Sequence, residues 1–276
     1  MNILFSIDDY ADIALYTTIH SIIKNCSDIS KIKFYLLVNE NKEKYIKHMK
    51  IYFNNIQFEI LEFNNLTFPK KYNLLENYLK TIDSKYNYGF KIHRNIMNYA
   101  RIFLIELFDI EGVCVYLDTD IIVQKDILKL LDYSLTDKYP CGAVLNRTNN
   151  HFKFSKSIPE INFILDENYI GFNTGVYIFD ATYWKKNDLT LLCIRILNIN
   201  LKKQIMQIGT QPLINLIFYK KVKKINLNWN VSGAGWKSGL RDENLQEANI
   251  IHWGGRQKPW LENGLWKKYW NKYRIS

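Results

Sequence analysis

The sequence predicts an α/β fold built on a mostly parallel β-sheet that is covered on both faces. Strand-like and helix-like segments alternate through the N-terminal part of the chain, which is the order that produces parallel sheets. An unbroken apolar segment, Val113 to Leu117, has the composition of a buried central strand. Hydrophobic residues make up 47% of the 276 residues, which is enough for a substantial core.

The N-terminal elements predict a Rossmann-like half of the fold. Strands are predicted at residues 2–7, 33–38 and 57–63, and helices at residues 16–24 and 42–52. Residues 66–90 are polar and aromatic, and we expect them to pass over the ligand site. Asp8 follows the first strand, where it would either meet a base or ribose or cap the next helix.

A helix is predicted at residues 91–108. Its apolar side chains recur at steps of three and four residues and form a core face: Ile92, Ile96, Tyr99, Phe103 and Leu107. Arg94, Asn98 and Arg101 form a polar stripe on another side of this helix. Arg101 would then either bind a pyrophosphate through its forked donors or remain solvated.

Two acidic residues, Asp118 and Asp120, follow the apolar strand directly. Alternate side chains of an extended backbone point the same way, so both carboxylates can reach one point. A divalent cation would offset their mutual repulsion, but Asp-x-Asp is also common in turns, where Asp accepts hydrogen bonds from the backbone. The position favours a ligand site, because open α/β sheets bind ligands beyond the carboxyl ends of their strands.

The C-terminal half supplies further polar candidates. Strands are predicted at residues 140–145, 176–179 and 223–227, and helices at residues 125–132, 181–198 and 210–219. Asn173 and Gly175 precede a strand, where they would either let a ligand approach the backbone or form a plain turn. Gln211 lies at the start of a helix. His252 follows two β-branched residues and would be either structural or a ligand, with Lys258 nearby to bind an anion.

The chain is predicted to form one domain at residues 1–259 and a basic, aromatic extension at residues 260–276. The extension would either contact an anionic membrane at the level of the headgroups or dock its aromatic side chains on the core. The four cysteines are widely spaced and are expected to be reduced. The early Asp8 and the lack of a long apolar run predict neither a signal peptide nor a membrane span, so we expect a cytoplasmic protein, with peripheral membrane contact as the alternative.

The net charge of the chain favours anionic binding partners but does not indicate which class of anionic partner binds. The chain has 37 Lys and Arg against 27 Asp and Glu, a formal charge of +10 that favours nucleotides, phosphates, nucleic acid or acidic lipid. A nucleic-acid or membrane surface could be built on Lys220, Lys221, Lys223 and Lys224. These charges are dispersed over predicted helix faces, which is typical of solvated lysines, and no nucleic-acid partner is predicted.

Five segments recur in a characteristic order: Ile-Asp-Asp-Tyr at residues 7–10, Tyr-Ala-Arg at 99–101, Tyr-Leu-Asp-Thr-Asp at 116–120, Phe-Asn-Thr-Gly-Val at 172–176, and His-Trp-Gly-Gly-Arg-Gln-Lys-Pro-Trp at 252–260. Taken together, they resemble glycosyltransferase family 8, the retaining enzymes that include bacterial lipopolysaccharide α-galactosyl- and α-glucosyltransferases and glycogenin. The resemblance covers nearly the whole chain. It implies a single GT-A fold, a UDP-sugar donor, and Mn²⁺, for which Mg²⁺ could substitute.

The resemblance also implies roles for individual residues. Asp118, Asp120 and His252 would hold the metal, and Gln211, Asp120 and Lys258 would act in catalysis. Residues along the donor would be Asp8, Tyr10, Arg101, Asp118, Asn146, Asn173, Gly175, Gly255 and Lys258. The family usually has Asp where this chain has Thr210 and Asn146, and both differences concern the recognition of the sugar.

The implied reaction moves a hexose, galactose or glucose, to a saccharide or glycan acceptor with retention of configuration. Because a neutral Gln211 is a poor nucleophile, we favour front-side attack, in which the departing phosphate takes the acceptor's proton. A sugar-nucleotidyltransferase is the closest alternative, although its Gly-rich basic loop after the first strand is missing here. A UDP-sugar-binding protein that has lost turnover is the other alternative.

Overall fold

The computed structural model of the chain describes residues 1–7, 12–63, 96–145, 156–206, 209–236 and 239–275. The predictions made for Asp8, Tyr10, Asn146 and residues 66–90 lie outside these described residues.

Strands and helices alternate through the described chain. The strands are β1 (Asn2–Ile7), β2 (Lys33–Val38), β3 (Gln57–Glu62), β4 (Val113–Leu117), β5 (Ile121–Val123), β6 (Cys141–Leu145), β7 (Ser157–Ile158), β8 (Phe163–Ile164), β9 (Phe172–Asp180), β10 (Val222–Lys224), β11 (Val231–Ser232) and β12 (Ile250–His252). The α-helices are α1 (Asp12–Asn25), α2 (Lys42–Tyr52), α3 (Ile96–Ala100), α4 (Leu104–Leu107), α5 (Ala181–Lys186), α6 (Leu189–Lys203), α7 (Thr210–Ile217), α8 (Asp242–Glu247) and α9 (Lys267–Asn271).

The central sheet has seven strands in the order β10-β6-β9-β4-β1-β2-β3. β1 pairs in parallel with β2 and β4, and β2 and β6 pair in parallel with β3 and β10 respectively. Only β9 runs against its described neighbours, β4 and β6, so the sheet is mixed and mostly parallel. The predicted α/β fold class is confirmed.

Side chains that alternate along the central strands feed two separate cores, one on each face of the sheet. In β4, Cys114 and Tyr116 belong to one core, whereas Val115 and Leu117 belong to the other. This arrangement explains the unbroken apolar sequence of the strand, because neither face meets water. Burial raises the pKa of the Cys114 thiol to about 12, so this cysteine is protonated and unreactive at neutral pH.

A second sheet, in the order β11-β12-β5, places β12 from the C-terminal part of the chain beside β5. The turn between β4 and β5 contains Asp118 and Asp120 and is called the acidic turn below. β5 begins one residue after Asp120 and pairs antiparallel with β12, so that Ile121 lies opposite His252. Asp120 and His252 are more than 130 positions apart in sequence, and this strand pairing makes them neighbours.

Several predicted elements are divided, shortened or of a different helix type in the structure. The described part of the helix at residues 91–108 contains a 3₁₀ turn, Arg101–Phe103, between α3 and α4, and residues 125–132 form a 3₁₀ helix, Ile127–Tyr133, in place of an α-helix. The helix at residues 181–198 is two helices, since Asp188 adopts a left-handed conformation with φ of 47°. The strand at residues 223–227 ends at Lys224. A 3₁₀ helix with 3.0 residues per turn and an α-helix with 3.6 place apolar residues at similar positions over one or two turns. The apolar spacing therefore did not distinguish the two 3₁₀ segments from α-helix.

The C-terminal extension docks its aromatic side chains on the core. The Trp270 side chain is fully buried, and its ring centroid lies 5.7 Å from that of Trp253 and 5.0 Å from that of Trp260. The Tyr273 hydroxyl accepts a hydrogen bond of 2.9 Å from Asn25 of α1. Core packing therefore occupies these aromatic groups. Among the described helices, none has both the length and the apolar character that crossing a bilayer requires.

Candidate active site

The acidic turn between β4 and β5 is held from both sides by backbone hydrogen bonds. The N–H of Asp118 donates to the carbonyl of Gly175 on β9 at 2.8 Å. The N–H of Trp253, just after β12, donates to the carbonyl of Asp120 at 2.9 Å. The turn therefore lies where the large sheet and the small sheet meet, beyond the carboxyl end of β4, as expected for a ligand site of an α/β sheet.

Asp118, Asp120 and His252 come together at this junction. One ligand atom from each residue lies within 4.8 Å of the others. The Nε2 atom of His252 is 3.8 Å from Oδ2 of Asp118 and 3.4 Å from Oδ1 of Asp120. Carboxylate oxygens and an imidazole nitrogen are a donor set suited to a divalent cation. The His252 ring is buried and its Nε2 atom faces both acids, while its role as a metal ligand stays a prediction.

Gly175 makes room for this cluster. A Cβ atom at position 175 would lie 2.3 Å from Cε1 of His252 and 2.6 Å from Oδ2 of Asp118. Both distances are far inside van der Waals contact. Any side chain here would displace the imidazole or the carboxylate. The place of Gly175 along the donor stays a prediction.

Lys258 neutralises the more buried acid. Its Nζ atom contacts Oδ2 of Asp120 and donates to the carbonyl of Trp253 at 2.8 Å. Burial by itself would raise the pKa of Asp120, but Lys258 and His252 outweigh it and hold that pKa well below its ordinary value. Asp120 is thus ionised over the whole physiological range and is able to bind a cation.

Arg101 is buried beside Asp118, which rules out the solvated alternative. Only 10% of its side chain is exposed, and its Nη2 atom donates to Oδ1 of Asp118 at 3.3 Å. The guanidinium also donates to the carbonyl of Thr174 and lies 4.4 Å above the centre of the Tyr116 ring. The positive charge is therefore fixed against the rim of the acidic cluster.

A chain of carboxamide side chains leads from His252 to Gln211. Nδ1 of His252 lies 3.1 Å from Oδ1 of Asn230, and Nδ2 of Asn230 donates to Oδ1 of Asn173 at 3.1 Å. Nδ2 of Asn173 donates in turn to Oε1 of Gln211 at 3.1 Å. Asn173 and Gly175 were expected to precede a strand, but both lie within β9, so the plain-turn alternative is wrong and their place along the donor stays a prediction. Asn230 was not predicted from the sequence, because Asn226, Asn228 and Asn230 alternate in one loop and nothing in their spacing distinguishes the last.

The start of α7 is fixed by contacts that surround Gln211. The hydroxyl of Thr210 donates to Oδ1 of Asn98 at 2.8 Å, and the hydroxyl of Tyr99 accepts from the N–H of Gly209 at 2.9 Å. One turn later, the amide of Asn215 donates to the carbonyl of Phe172 and accepts from its N–H. These bonds tie the helix to the first residue of β9, so Gln211 has a defined place beside the strand that carries Asn173 and Gly175.

Gly255 lies where two loops touch. Its φ of 117° belongs to the region that favours glycine, and it forms a single bridge with Gly235. A Cβ atom here would lie 2.7 Å from the Gly235 carbonyl and 2.7 Å from the Trp236 ring. The site thus contains Asp118, Asp120, His252, Lys258, Arg101, Asn173, Gly175 and Gln211, with Gly255 in the loop that leads to Lys258. Asp8, Tyr10 and Asn146 lie outside the described residues.

The chain is similar in sequence to known proteins. A family model described as Glycosyl transferase family 8 matches residues 2–264. The chain is 28% identical over 186 residues to the Probable galacturonosyltransferase 4 of Arabidopsis thaliana, with 65% of this chain and 30% of that protein covered. It is 33% identical over 216 residues to the Probable galacturonosyltransferase 13 of the same plant, with 73% and 40% covered. The chain therefore spans 30% to 40% of the length of these two relatives.

The chain is also similar in structure to a solved transferase. The galactosyltransferase LgtC, solved in complex with donor and acceptor sugar analogs, superposes with a TM-score of 0.68. The sequence identity is 19%, and the match covers 100% of this chain and 97% of LgtC. This likeness confirms the predicted GT-A fold.

Proposed function

Because this chain belongs to glycosyltransferase family 8, we propose that it is a retaining enzyme that transfers a hexosyl or galacturonosyl group from a UDP-sugar to a saccharide or glycan acceptor. The observation that carries the proposal is the convergence of Asp118, Asp120 and His252 on one point, with Lys258 beside it. Galactose and glucose come from the family resemblance, and galacturonic acid from the names of the plant relatives.

The donor set fits a divalent cation, for which Mn²⁺ is the proposed choice. Two carboxylates and one imidazole nitrogen lie within 4.8 Å of one another, and the absent side chain of Gly175 leaves them room. When bound, the cation supplies Lewis-acid stabilisation of the diphosphate leaving group. The pKa of Asp120 is held low, so this ligand needs no deprotonation before it binds.

The surrounding residues stabilise charge on the leaving group. Lys258 provides an ammonium group beside Asp120, and it can offset the negative charge that develops on the diphosphate when the bond between the anomeric carbon and the diphosphate breaks. Arg101 acts differently, since its bonds to Asp118 and to the Thr174 carbonyl hold it in place. We expect Arg101 to orient Asp118 and to line the donor.

Gln211 is suited to front-side attack and poorly suited to nucleophilic catalysis. Its Oε1 atom accepts hydrogen bonds from the Thr174 N–H at 3.2 Å and from Asn173 at 3.1 Å. A neutral amide oxygen that already accepts two bonds is a weak nucleophile. In the proposed step, the acceptor oxygen forms a bond to the anomeric carbon as the bond to the diphosphate breaks, and the departing phosphate oxygen takes the acceptor's proton.

The proposal is tested by UDP release from UDP-galactose, UDP-glucose and UDP-galacturonic acid, with Mn²⁺, with Mg²⁺ and with chelator. We expect one of these donors to support Mn²⁺-dependent release, and ¹H NMR of the glycosylated product to show a retained anomeric configuration. Asp120→Asn is expected to reduce the rate by more than about 100-fold, because losing only an outer partner of a metal ligand already costs about 10- to 100-fold.

Asp132→Asn is the matched control, since this exposed residue lies in the 3₁₀ helix after β5, away from the cluster. It should leave the rate unchanged. The enzymatic proposal fails if every donor is inert in the wild type, or if release survives Asp120→Asn.

A donor-binding protein without turnover is the second candidate. It is favoured by Thr210, which takes the place of the family's usual Asp and directs its hydroxyl to Asn98. Calorimetric binding of a UDP-sugar without release of UDP in any acceptor mixture would support this second candidate.

A further inference from the structure

Asn230 joins the histidine of the proposed cation site to the rest of the amide chain. It is the last residue of the 3₁₀ helix Leu227–Asn230, and only 5% of it is exposed. One end of its carboxamide faces Nδ1 of His252 at 3.1 Å, and the other end faces Oδ1 of Asn173 at 3.1 Å. None of the roles assigned so far uses this residue.

Two backbone donors of β9 fix which end of each amide is oxygen. The N–H of Gly175 donates to Asn173 at 3.0 Å, and the N–H of Thr174 donates to Gln211 at 3.2 Å. A backbone N–H can only donate, so the atoms it contacts must be Oδ1 of Asn173 and Oε1 of Gln211. The amide nitrogen of Asn173 then faces the oxygen of Gln211, and the two assignments agree.

The same logic continues to the histidine. Because Oδ1 of Asn173 can only accept, the group of Asn230 that faces it must be the NH₂ group. The oxygen of Asn230 therefore faces Nδ1 of His252, and this nitrogen must carry a hydrogen. Nε2 is left as the ring nitrogen directed at Asp118 and Asp120, 3.8 Å and 3.4 Å away.

We propose that Asn230 is a positioning residue that holds the proton of His252 on Nδ1 and so presents the lone pair of Nε2 to a cation bound by the two acids. The inference rests on the proposed cation site. It adds Asn230 as a supporting residue, the tautomer of His252, and the cause of that tautomer. The cause is local backbone geometry, since Thr174 and Gly175 set the direction of every bond from Gln211 to the imidazole.

The tautomer is measured without any metal or turnover. Long-range ¹H–¹⁵N correlation spectra of the metal-free protein, recorded at a pH at which the imidazole is neutral, distinguish a protonated Nδ1 from a protonated Nε2. His252 is assigned by comparison with His252→Gln. We expect the proton on Nδ1 in the wild type. A wild-type His252 with its proton on Nε2 overturns the proposal.

Three variants test the cause, with Mn²⁺ affinity measured by the electron paramagnetic resonance signal of free Mn²⁺. Asn230→Leu removes the acceptor and should mix the tautomers and weaken Mn²⁺ binding by roughly 10- to 100-fold. Asn230→Asp keeps an oxygen acceptor for Nδ1 and should retain the wild-type tautomer, although it loses the NH₂ group that donates to Oδ1 of Asn173, so its Mn²⁺ affinity is not used as a test. Asn228→Leu makes the same change two residues earlier in the same 3₁₀ helix and should behave as wild type.

The proposal is wrong if folded Asn230→Leu keeps the wild-type tautomer and affinity, or if folded Asn230→Asp loses the wild-type tautomer. If Asn230→Leu does not fold, the test depends on the His252 tautomer measured in the wild type and in Asn230→Asp. A wild type that binds no Mn²⁺ would refute the cation site while leaving the tautomer measurement intact, so the two failures are distinguishable.

Discussion

At the scale of single residues, the acids and the imidazole can approach each other because position 175 has no side chain. Gly175 lies inside β9, in an ordinary strand conformation, so its role is to leave space rather than to turn the backbone. Its carbonyl also accepts the N–H of Asp118. Any larger residue would place carbon where the histidine and the carboxylate meet.

We predict that Gly175→Ala lowers Mn²⁺ affinity and UDP release by at least about tenfold, because the imidazole or the carboxylate must move away from its present position. Overpacking of this kind should also lower the free energy of unfolding by about 1–3 kcal/mol. Calorimetric Mn²⁺ titration and urea denaturation measure the two effects.

Gly239→Ala is the control for this change. Position 239 is exposed, and no heavy atom lies within 4 Å of a Cβ atom built there. Equal losses in both variants would mean that the space at position 175 has no special importance for the site.

At the scale of elements, α1 supports the acidic turn through a polar stripe. β5 is an edge strand of the small sheet, and its unpaired edge faces α1. The hydroxyl of Thr18 donates to the carbonyls of Thr119 and Ile121, and the hydroxyl of Ser21 accepts from the N–H of Val123. Asn25 donates to the Val123 carbonyl at 2.8 Å. The helix thus satisfies backbone groups that a neighbouring strand would otherwise satisfy.

We predict that Thr18→Val loosens the turn that carries Asp118 and Asp120. The change keeps the shape of the side chain but leaves two buried carbonyls without this donor, which should lower the free energy of unfolding by about 1–3 kcal/mol. Mn²⁺ affinity should fall measurably, because Thr119 lies between the two acids.

The neighbouring Thr17→Val serves as the control. The Thr17 hydroxyl is equally buried but donates to the carbonyl of Ile13 within its own helix. Thr17→Val should leave Mn²⁺ affinity unchanged even if it lowers the free energy of unfolding. Equal affinities in the two variants would refute a specific role for Thr18.

At the scale of the whole molecule, the C-terminal extension and the site share one core. Trp270 packs on Trp253, which directly follows His252, and the Trp253 N–H holds the Asp120 carbonyl. The Trp253 ring nitrogen donates to the carbonyl of Leu265 at 2.9 Å. The last residues of the chain therefore support the strand that presents the histidine, whether or not residues 260–276 are counted as a separate unit.

We predict that Trp270→Ala lowers the free energy of unfolding by about 3–5 kcal/mol, since it empties a fully buried indole site. Because Trp253 loses its neighbour, Mn²⁺ affinity should fall as well. Urea denaturation and Mn²⁺ titration of the folded variant provide the measurements.

Trp236→Ala is the comparison, because that indole is 52% exposed. Its effect on unfolding should be well below that of Trp270→Ala. A small stability loss in Trp270→Ala would show that the extension contributes little to the core.

The sequence was most informative where a local pattern has one structural solution. β1, β2 and α2 begin and end at the predicted residues, since polar residues border the two short apolar runs and the charged helix. It was least informative at residues 101–103 and 187–188, where short 3₁₀ turns and a left-handed Asp188 interrupt helical spacing without changing it. For the site, motif order indicated Asp118, Asp120, His252 and Lys258, whereas Thr18 and Asn230 carried no local signal.

The sequence by itself determined the alternation of strands and helices, the apolar centre of the sheet, and the kinds of side chain available for a cation and a phosphate. Only the tertiary structure decided which of those side chains meet, and which backbone donors orient them. The physical reason is that apolar periodicity is a property of neighbours along the chain, whereas hydrogen bonds between Asn230, Asn173 and His252 depend on sheets that pair distant segments.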